Sequence, residues 1–153
     1  MNAIEQAYWQ KFKAVSDIES PLFGSSWSFG ATVEMADDLG QLVLEGKKTG
    51  TSSAVVFYEL EGVAFPTENK VYDILLNGSN EPIAILQTKK IKRFMFNEIT
   101  EEMARLEGEG DLSIAYWQAA HRAFFKAAFT KENLVYDEDK LALLYEEFEV
   151  VYQ

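Results

Sequence analysis

The chain has 153 residues, of which 48% are hydrophobic and 25% are charged, a composition typical of one folded globular domain rather than a disordered chain. It contains no cysteine, which excludes disulfides, thiolate metal sites and cysteine nucleophiles. The single histidine, His121, excludes a multi-histidine metal site, and any Ser-His-Asp triad would have to use it.

The formal net charge of −11 restricts the partners that we expect. An acidic surface repels the phosphate backbone at long range, which argues against a protein that coats nucleic acid but not against a nucleotide in a local pocket. No apolar run approaches the roughly 18 residues of a membrane-spanning helix, and residues 1–13 lack the apolar segment of a signal peptide. We therefore expect a cytoplasmic protein that does not contact membranes.

The first third of the chain predicts two helices with a loop between them. Apolar residues recur at helical spacing in residues 3–14 and again in residues 33–45, which predicts one buried face on each helix. Gly46 stands where a helix C-terminal glycine is expected. Residues 21–31 are rich in serine, glycine and aromatic residues and are predicted to form an ordered loop.

The remainder of the chain predicts strands with interspersed helices. Runs of β-branched and aromatic residues favour strands, and the acidic stretch broken by glycines at 108 and 110 favours a short capped helix before a longer one capped by Asp111. The predicted strands are 52–60, 70–77, 82–95 and 148–152, and the predicted helices are 102–107 and 112–127. Since strands outnumber the helices available as crossovers, the predicted class is α+β, a small mixed or antiparallel β-barrel surrounded by helices.

Residues 46–53, Gly-Lys-Lys-Thr-Gly-Thr-Ser-Ser, place amines and hydroxyls between a predicted helix and a predicted strand, where binding residues often lie. The glycine spacing is not that of a Walker A loop. A threonine nucleophile needs a base beside it, and Lys48, three residues before Thr51, is a candidate if burial or a neighbouring cation favours its neutral form. The alternative is a solvated helix C-terminus whose lysines complement the helix dipole.

Residues 107–111, Glu-Gly-Glu-Gly-Asp, concentrate three acids around two glycines. A carboxylate here could act as a general acid or base, or the oxygens could bind a divalent cation, although the spacing is not that of a calcium loop. The alternative is a glycine-broken turn with Asp111 as a helix cap. The cap is favoured for Asp111, and both interpretations remain open for Glu107.

Two further features have both functional and structural interpretations. The basic run at 89–93 could guide a phosphate, but strand alternation would divide its side chains between two faces, which favours a charged protective edge. Aromatic side chains can stack a nucleobase; we expect Trp27, in a glycine- and serine-rich segment, to line a cleft beside Lys48. His121 lies on the apolar face of its predicted helix and is interpreted as structural.

Several segments occur in an order that is typical of one known family. They are Trp27-Ser-Phe-Gly30, 44–52, Asn77-Gly with Glu81-Pro-Ile-Ala84, 96–111, Tyr116-Trp117, His121–Phe125 and 148–152. Together they resemble the ASCH domain family, a branch of the PUA-like superfamily, over about residues 25–152. The Gly-x-Lys-x-x-Thr element is weak alone, and its combination with Glu-Gly-Glu-Gly-Asp, Tyr-Trp and the C-terminal strand is specific.

The resemblance implies a small β-barrel with helices around it, similar to PUA RNA-binding domains. RNA-related roles are proposed for the family, some members are reported as ribonucleases, and a compact bacterial subgroup consists of N4-acetylcytidine amidohydrolases. The lysine, threonine and downstream glutamate of that subgroup correspond here to Lys48, Thr51 and Glu107. This chain is longer than that subgroup and has Ser53 in place of its arginine, which removes a planar donor group suited to phosphates and base edges.

The resemblance therefore predicts a single ASCH domain over 1–153, with an added N-terminal helix in 1–20, that acts on or binds RNA or a modified nucleoside in a local cleft. The best guess is an amidohydrolase on an N4-acetylcytidine-like substrate, with Lys48 as base or electrostatic activator, Thr51 as nucleophile and Glu107 handling the leaving-group proton. The alternatives are a non-catalytic RNA- or nucleotide-binding module and a ribonuclease.

No cofactor and no metal are expected, and the sequence does not predict the oligomeric state. The expected ligand-binding residues are Trp27, Phe29, Lys47, Ser53 and Glu109.

Overall fold

The computed structural model describes all 153 residues. The α-helices are α1 (Ala3–Val15), α2 (Val33–Leu44), α3 (Val55–Glu61), α4 (Glu101–Glu107) and α5 (Ile114–Lys131). The strands are β1 (Phe23–Trp27), β2 (Gly50–Ala54), β3 (Tyr72–Leu76), β4 (Pro82–Met95) and β5 (Ala142–Tyr152). Two short 3₁₀ helices cover Phe96–Glu98 and Glu138–Lys140. The predicted α+β class is confirmed.

The strands form a five-stranded mixed sheet in the order β1-β3-β4-β5-β2. β1 pairs with β3 in parallel, whereas β3 pairs with β4 and β2 pairs with β5 in antiparallel fashion. β1 and β2 are the outer strands of this order, so the sheet is not closed on itself. The predicted mixed sheet is therefore observed, but the predicted closed barrel is not.

The chain forms two compact units, each made of segments that are distant in sequence. The first unit comprises Met1–Gly46, Thr67–Lys90 and Phe148–Gln153, and the second comprises Lys47–Pro66 and Ile91–Glu147. The expected organisation as a single domain remains a prediction.

The first unit has two apolar clusters, both built from the periodicities in its sequence. In one, Trp9 and Phe12 of α1 pack with Ile74, Leu76 and Ile85 of the sheet. In the other, the buried residues are Phe29, Val43, Leu75, Ala84, Leu86 and Phe148. Each helix begins at a side-chain cap, since Asn2 accepts from the Glu5 backbone N–H and Thr32 accepts from that of Met35. The helices predicted at 3–14 and 33–45 are confirmed.

The second unit has one apolar cluster, which is rich in aromatic residues. Trp117, Phe125 and Phe129 of α5 are buried at helical spacing, so the predicted apolar face of that helix is confirmed. They pack with Phe94, Phe96, Ile99, Met103, Leu141, Leu143 and Tyr145. α4 packs on β2, so the segment that contains Glu107 lies next to the segment that follows Lys48.

Residues 52–60 do not form one strand as predicted. β2 ends at Ala54, and α3 follows directly and ends at Gly62, whose φ of 64° is left-handed. Val55, Val56 and Phe57 favour strands by propensity, but Val55 is buried as part of the helix, and Val56 and Phe57 pack on the aromatic cluster. Tertiary packing therefore overrides local propensity in this segment.

Two smaller predictions are also wrong. Residues 21–31 were predicted to form a loop but contain the strand β1. Its sequence, Phe-Gly-Ser-Ser-Trp, has no apolar alternation to indicate a strand, and β1 is an edge strand of the sheet, where such alternation is not required. The N-cap of α5 is Ser113, which accepts from the Tyr116 backbone N–H at 3.0 Å. Asp111 instead accepts from the Ser113 backbone N–H at 3.0 Å.

No helix of the chain combines the length and the apolar character that crossing a bilayer requires.

Candidate functional site

The site lies within the second unit, where residues 47–49 run against residues 106–108. The Thr49 backbone N–H donates to the Leu106 carbonyl at 2.8 Å. Gly108 ends α4 with a left-handed φ of 74°, and a Cβ at this position would collide with the Lys47 carbonyl. Only glycine therefore allows this close approach of the two backbones, which brings Lys48 and Glu107 together.

The Glu107 carboxylate is the centre of the site and is 1% exposed. Its Oε2 accepts from the Ser52 hydroxyl at 2.7 Å and from the Trp117 indole N–H at 2.6 Å. Its Oε1 lies 3.2 Å from His121 Nε2 and 3.7 Å from Lys48 Nζ. Side chains from three places in the unit (the segment before β2, β2 itself and α5) thus meet at this carboxylate of α4.

Lys48 is equally buried, with a side chain that is 1% exposed. Its Nζ donates to Glu109 Oε2 at 3.1 Å and to the Glu107 backbone carbonyl at 3.3 Å. The carboxylates of Glu107 and Glu109 flank Nζ as ion-pair partners at 3.7 Å and 3.1 Å. The structure therefore brings the predicted pair Lys48 and Glu107 together, with the lysine engaged in ion pairs rather than placed as a general base.

Competing effects set the pKa of Glu107. Burial alone raises the pKa of a carboxyl group, because it penalises the charged form. The contact with His121, the positive charge of Lys48 and the Ser52 hydrogen bond outweigh burial and lower the pKa of Glu107 from 4.5 to about 2. The carboxylate is therefore ionised at neutral pH and cannot donate a leaving-group proton without a prior change in its surroundings.

Thr51 and Ser53, two of the predicted site residues, project away from Glu107. Successive side chains of a strand point to opposite faces, and Ser52 on β2 is the residue that contacts Glu107. Thr51 and Ser53 therefore belong to the other face of β2, where the Ser53 hydroxyl lies 2.8 Å from the Tyr58 hydroxyl. The catalytic role of Thr51 remains a prediction.

The remaining predicted residues lie in several environments. Lys47 is exposed, and Glu109 contacts Lys48. Trp27 and Phe29 belong to the first unit, where their rings pack edge to face at 4.9 Å, with Phe29 in an apolar cluster. Their ligand-binding roles remain predictions.

In the basic run at 89–93, Lys89 contacts Gln87 at 2.6 Å and Glu149 at 3.3 Å. Nearby acidic and polar side chains therefore partly satisfy the charge of this run.

Glu107, Glu109 and His121 offer donor atoms that all lie within 4.8 Å of one another. Carboxylate oxygens and imidazole nitrogens are common metal ligands. The Lys48 ammonium, however, already contacts both carboxylates, and a second cation would have to displace it. The arrangement therefore favours a cluster neutralised by protein side chains over a metal centre.

Three site residues, Ser52, Trp117 and His121, were not predicted to belong to the site. Their signals in the sequence are faint: a serine within a hydroxyl-rich strand, and an indole and an imidazole four residues apart on one helix face. Their contacts with Glu107 depend on how α4 packs against both β2 and α5, which local patterns do not encode. The stacking of the Trp117 and His121 rings at 4.0 Å follows from their spacing on α5.

The model of the ASCH domain matches residues 25–152. The chain belongs to the ASCH domain family. No curated protein matches it.

Solved structures of ASCH domains and related proteins resemble this ASCH domain over its whole length. The ASCH domain from Lactobacillus crispatus JV V101 is 29% identical with a TM-score of 0.90, and the match covers 100% of this chain and 97% of that one. A protein from Enterococcus faecalis V583 is 34% identical with a TM-score of 0.84, and the match covers 99% of this chain and 90% of that one. Since the first match covers the whole chain, the similarity includes α1.

Replacing Glu107 by glutamine should strongly destabilise this ASCH domain. The change keeps the shape but leaves the Lys48 ammonium buried without one of its two carboxylates, and breaking a buried ion pair costs about 3–5 kcal/mol. The exposed Glu101→Gln variant is the matched control and should cost less than about 1 kcal/mol. Urea unfolding of the three proteins measures the difference, and equal losses for the two variants would show that the cluster is energetically unimportant.

The stability should also fall in acid as Glu107 becomes protonated. A carboxyl group whose folded-state pKa is depressed stabilises the fold above its unfolded pKa, and this contribution is lost as the pH falls through the folded pKa. For Glu107 that window runs from 4.5 down to about 2. At about 1.4 kcal/mol per pKa unit the loss is on the order of 3 kcal/mol. Unfolding free energies measured across this window should fall more steeply in the wild type than in Glu107→Gln, and parallel curves would contradict the assignment.

Proposed function

We propose that this ASCH domain binds a nucleoside or a short RNA segment at the cluster formed by Lys48, Ser52, Glu107, Glu109, Trp117 and His121, hereafter the Glu107 cluster. The observation that carries the proposal is the burial of two opposite full charges, Lys48 and Glu107, in a family for which RNA-related roles are proposed. The acidic net charge of −11 favours a small local ligand over a long polyanion.

The energetics of the cluster support a functional reason for its presence. Taking an ammonium and a carboxylate out of water costs several kcal/mol per ion, and well-packed apolar residues of similar volume are often as stabilising as a buried ion pair, or more so. Holding α4 against β2 through Lys48 and Glu107 therefore costs more desolvation free energy than apolar packing would. Ionisable groups with strongly shifted pKa values, such as Glu107, are concentrated at functional sites.

The cluster has an edge that a ligand can reach. The Glu109 and His121 side chains are 19% and 12% exposed, in contrast to the 1% of Lys48 and Glu107. A carboxylate accepts hydrogen bonds from exocyclic amino groups of bases. This edge therefore suits a polar, planar group with donors and acceptors, with the buried charges fixing the positions of the contacting side chains.

A second candidate function is the amidohydrolase suggested by the family resemblance. The observation that favours it is the convergence of Lys48 and Glu107, with Thr51 three residues beyond the lysine. In this reaction the Thr51 Oγ attacks the acyl carbon of an N-acetylated base, the C–N bond breaks and the amine leaves with a proton. Water then hydrolyses the acyl-threonine ester to acetate. The charged Lys48 and the ionised Glu107 make this the second choice.

Charge neutralisation at the edge of the cluster tests the binding proposal. Glu109→Gln keeps a side-chain oxygen that can accept from a base amino group but removes a negative charge beside Lys48, from a side chain that is partly exposed. The fold should therefore persist, and a phosphate-bearing RNA should bind several-fold more tightly. Glu132→Gln removes the same charge from an exposed residue at the end of α5 and is the control. Fluorescence anisotropy with short labelled RNAs at low salt measures both, and the proposal fails if wild type shows no binding or if the two variants bind alike.

Incubation with N4-acetylcytidine tests the amidohydrolase candidate. Deacetylation followed by chromatography should be lost in Thr51→Ala, since no hydroxyl remains to form the ester. Thr130→Ala, at an exposed threonine of α5, should retain it. Wild-type protein without deacetylase activity, or an active Thr51→Ala variant, would overturn this candidate. Cleavage of a labelled RNA by the wild type in a separate incubation would instead favour the ribonuclease alternative.

A further inference from the structure

The ring of His121 has both of its nitrogens in contact with acceptors. Nδ1 lies 2.8 Å from the Trp117 backbone carbonyl oxygen. Nε2 lies 3.2 Å from Glu107 Oε1. A carbonyl oxygen can only accept a hydrogen bond, so Nδ1 must carry a proton.

The second contact then requires another proton. A neutral imidazole with its proton on Nδ1 has a lone pair on Nε2, and this lone pair would face the Glu107 carboxylate oxygen at 3.2 Å. Two acceptors at this distance repel each other unless a proton lies between them. Glu107 Oε1 is buried without a hydrogen-bond partner, and Nε2 is the ring nitrogen beside it, so the site favours one proton more than a neutral histidine and an ionised glutamate supply.

The surroundings favour placing that proton on the imidazole. Glu107 is ionised because its other contacts, to Ser52, Trp117 and Lys48, all stabilise the carboxylate. The imidazole ring is stacked on the Trp117 indole at 4.0 Å with an interplanar angle of 16°, and an aromatic face attracts a cation.

The charged groups around His121 balance when it is an imidazolium. Glu107 of α4, Glu109 of the following segment and Lys48 of the segment before β2 belong to the same cluster. On α5 itself the neighbouring Arg122 is paired with Glu138 at 2.6 Å and adds no free charge. Two cations then face two carboxylates, and loss of the His121 proton leaves the cluster with a net charge of −1.

We propose that His121 is the proton switch of the Glu107 cluster: its Nε2 proton bridges to Glu107 Oε1 and keeps the cluster neutral, and loss of this proton weakens the binding of a phosphate-bearing ligand. The ligand part rests on the proposed function. His121 is a positioning residue in this account because it acts through Glu107. Without the bridging proton, the repulsion between Nε2 and Oε1 displaces the carboxylate that orients Lys48, and the uncompensated charge repels phosphate.

The proton itself can be observed directly, because His121 is the only histidine in the chain. Nitrogen-15 NMR of histidine-labelled wild-type protein at neutral pH should show both ring nitrogens protonated. In Glu107→Gln, the amide N–H₂ can donate to Nε2, so the imidazole should become neutral with its proton on Nδ1. A neutral ring in the wild type, or a ring state that is unchanged in Glu107→Gln, would overturn the proposal.

The consequence for the ligand is measured as a pH profile of affinity for a short RNA. Between about pH 5 and about pH 9, a span that includes the range of about pH 5 to 8 in which histidine side chains commonly titrate, the wild-type dissociation constant should rise about tenfold, the size expected for one added charge near phosphate. His121→Gln, whose side chain does not titrate, should give a flat profile. Parallel profiles for the two proteins would overturn the switch. Absence of any RNA binding would overturn the proposed function and the ligand part of this proposal, while the NMR result would still decide whether the bridging proton exists.

Discussion

One ionised carboxylate that is removed from water constrains the second unit. Glu107 is 1% exposed, and an isolated buried carboxylate is tolerated only when donors and cations surround it. Here the donors are Ser52 on β2 and Trp117 on α5, the His121 ring of α5 lies 3.2 Å from the carboxylate, and the cation is Lys48. Each of these elements must be in place for the charge to be satisfied, so the cluster couples their positions.

The same constraint separates the two chemical roles considered for the site. A threonine nucleophile needs a neutral base nearby, but Lys48 lies between two carboxylates, and Ser52 rather than Thr51 faces Glu107. Fixed charges with a partly exposed edge are well suited to holding a polar ligand in one orientation, since the positioning side chains are already organised before binding. The geometry therefore favours recognition over acyl transfer, and the proton on His121 links that recognition to pH.

The sequence predicted those parts of the structure that depend on local periodicity. The helices at 3–14 and 33–45 follow from apolar spacing and the strand at 82–95 from its run of strand-favouring residues; α1, α2 and β4 match them closely. The strand predicted at 52–60 was wrong beyond Ala54, because Val55 is buried and Val56 and Phe57 pack on the aromatic cluster of the second unit when this segment is helical. This packing outweighs the strand propensity of the three residues.

The site was only half predictable for a related reason. Lys48 and Glu107 were identified because they stand in motifs that resemble a family, not because any spacing brings them together. The partners of Glu107 depend on the alternation of β2, which selects Ser52 over Thr51, and on the packing of α5, which turns Trp117 and His121 towards the carboxylate. These contacts depend on tertiary packing. The packing of α5 places His121, which we expected to be structural, in the Glu107 cluster.

A double-mutant cycle on Lys48 and Glu107 tests the central claim that their buried charges depend on each other. The free energies of unfolding of Lys48→Met, Glu107→Gln and the double variant are compared with that of the wild type. The account predicts that the double variant loses far less stability than the two single variants added together, with a coupling energy on the order of 3 kcal/mol, because removing both charges leaves neither one buried without its partner. Additive losses would contradict it and would show that Lys48 and Glu107 are buried side by side without energetic coupling.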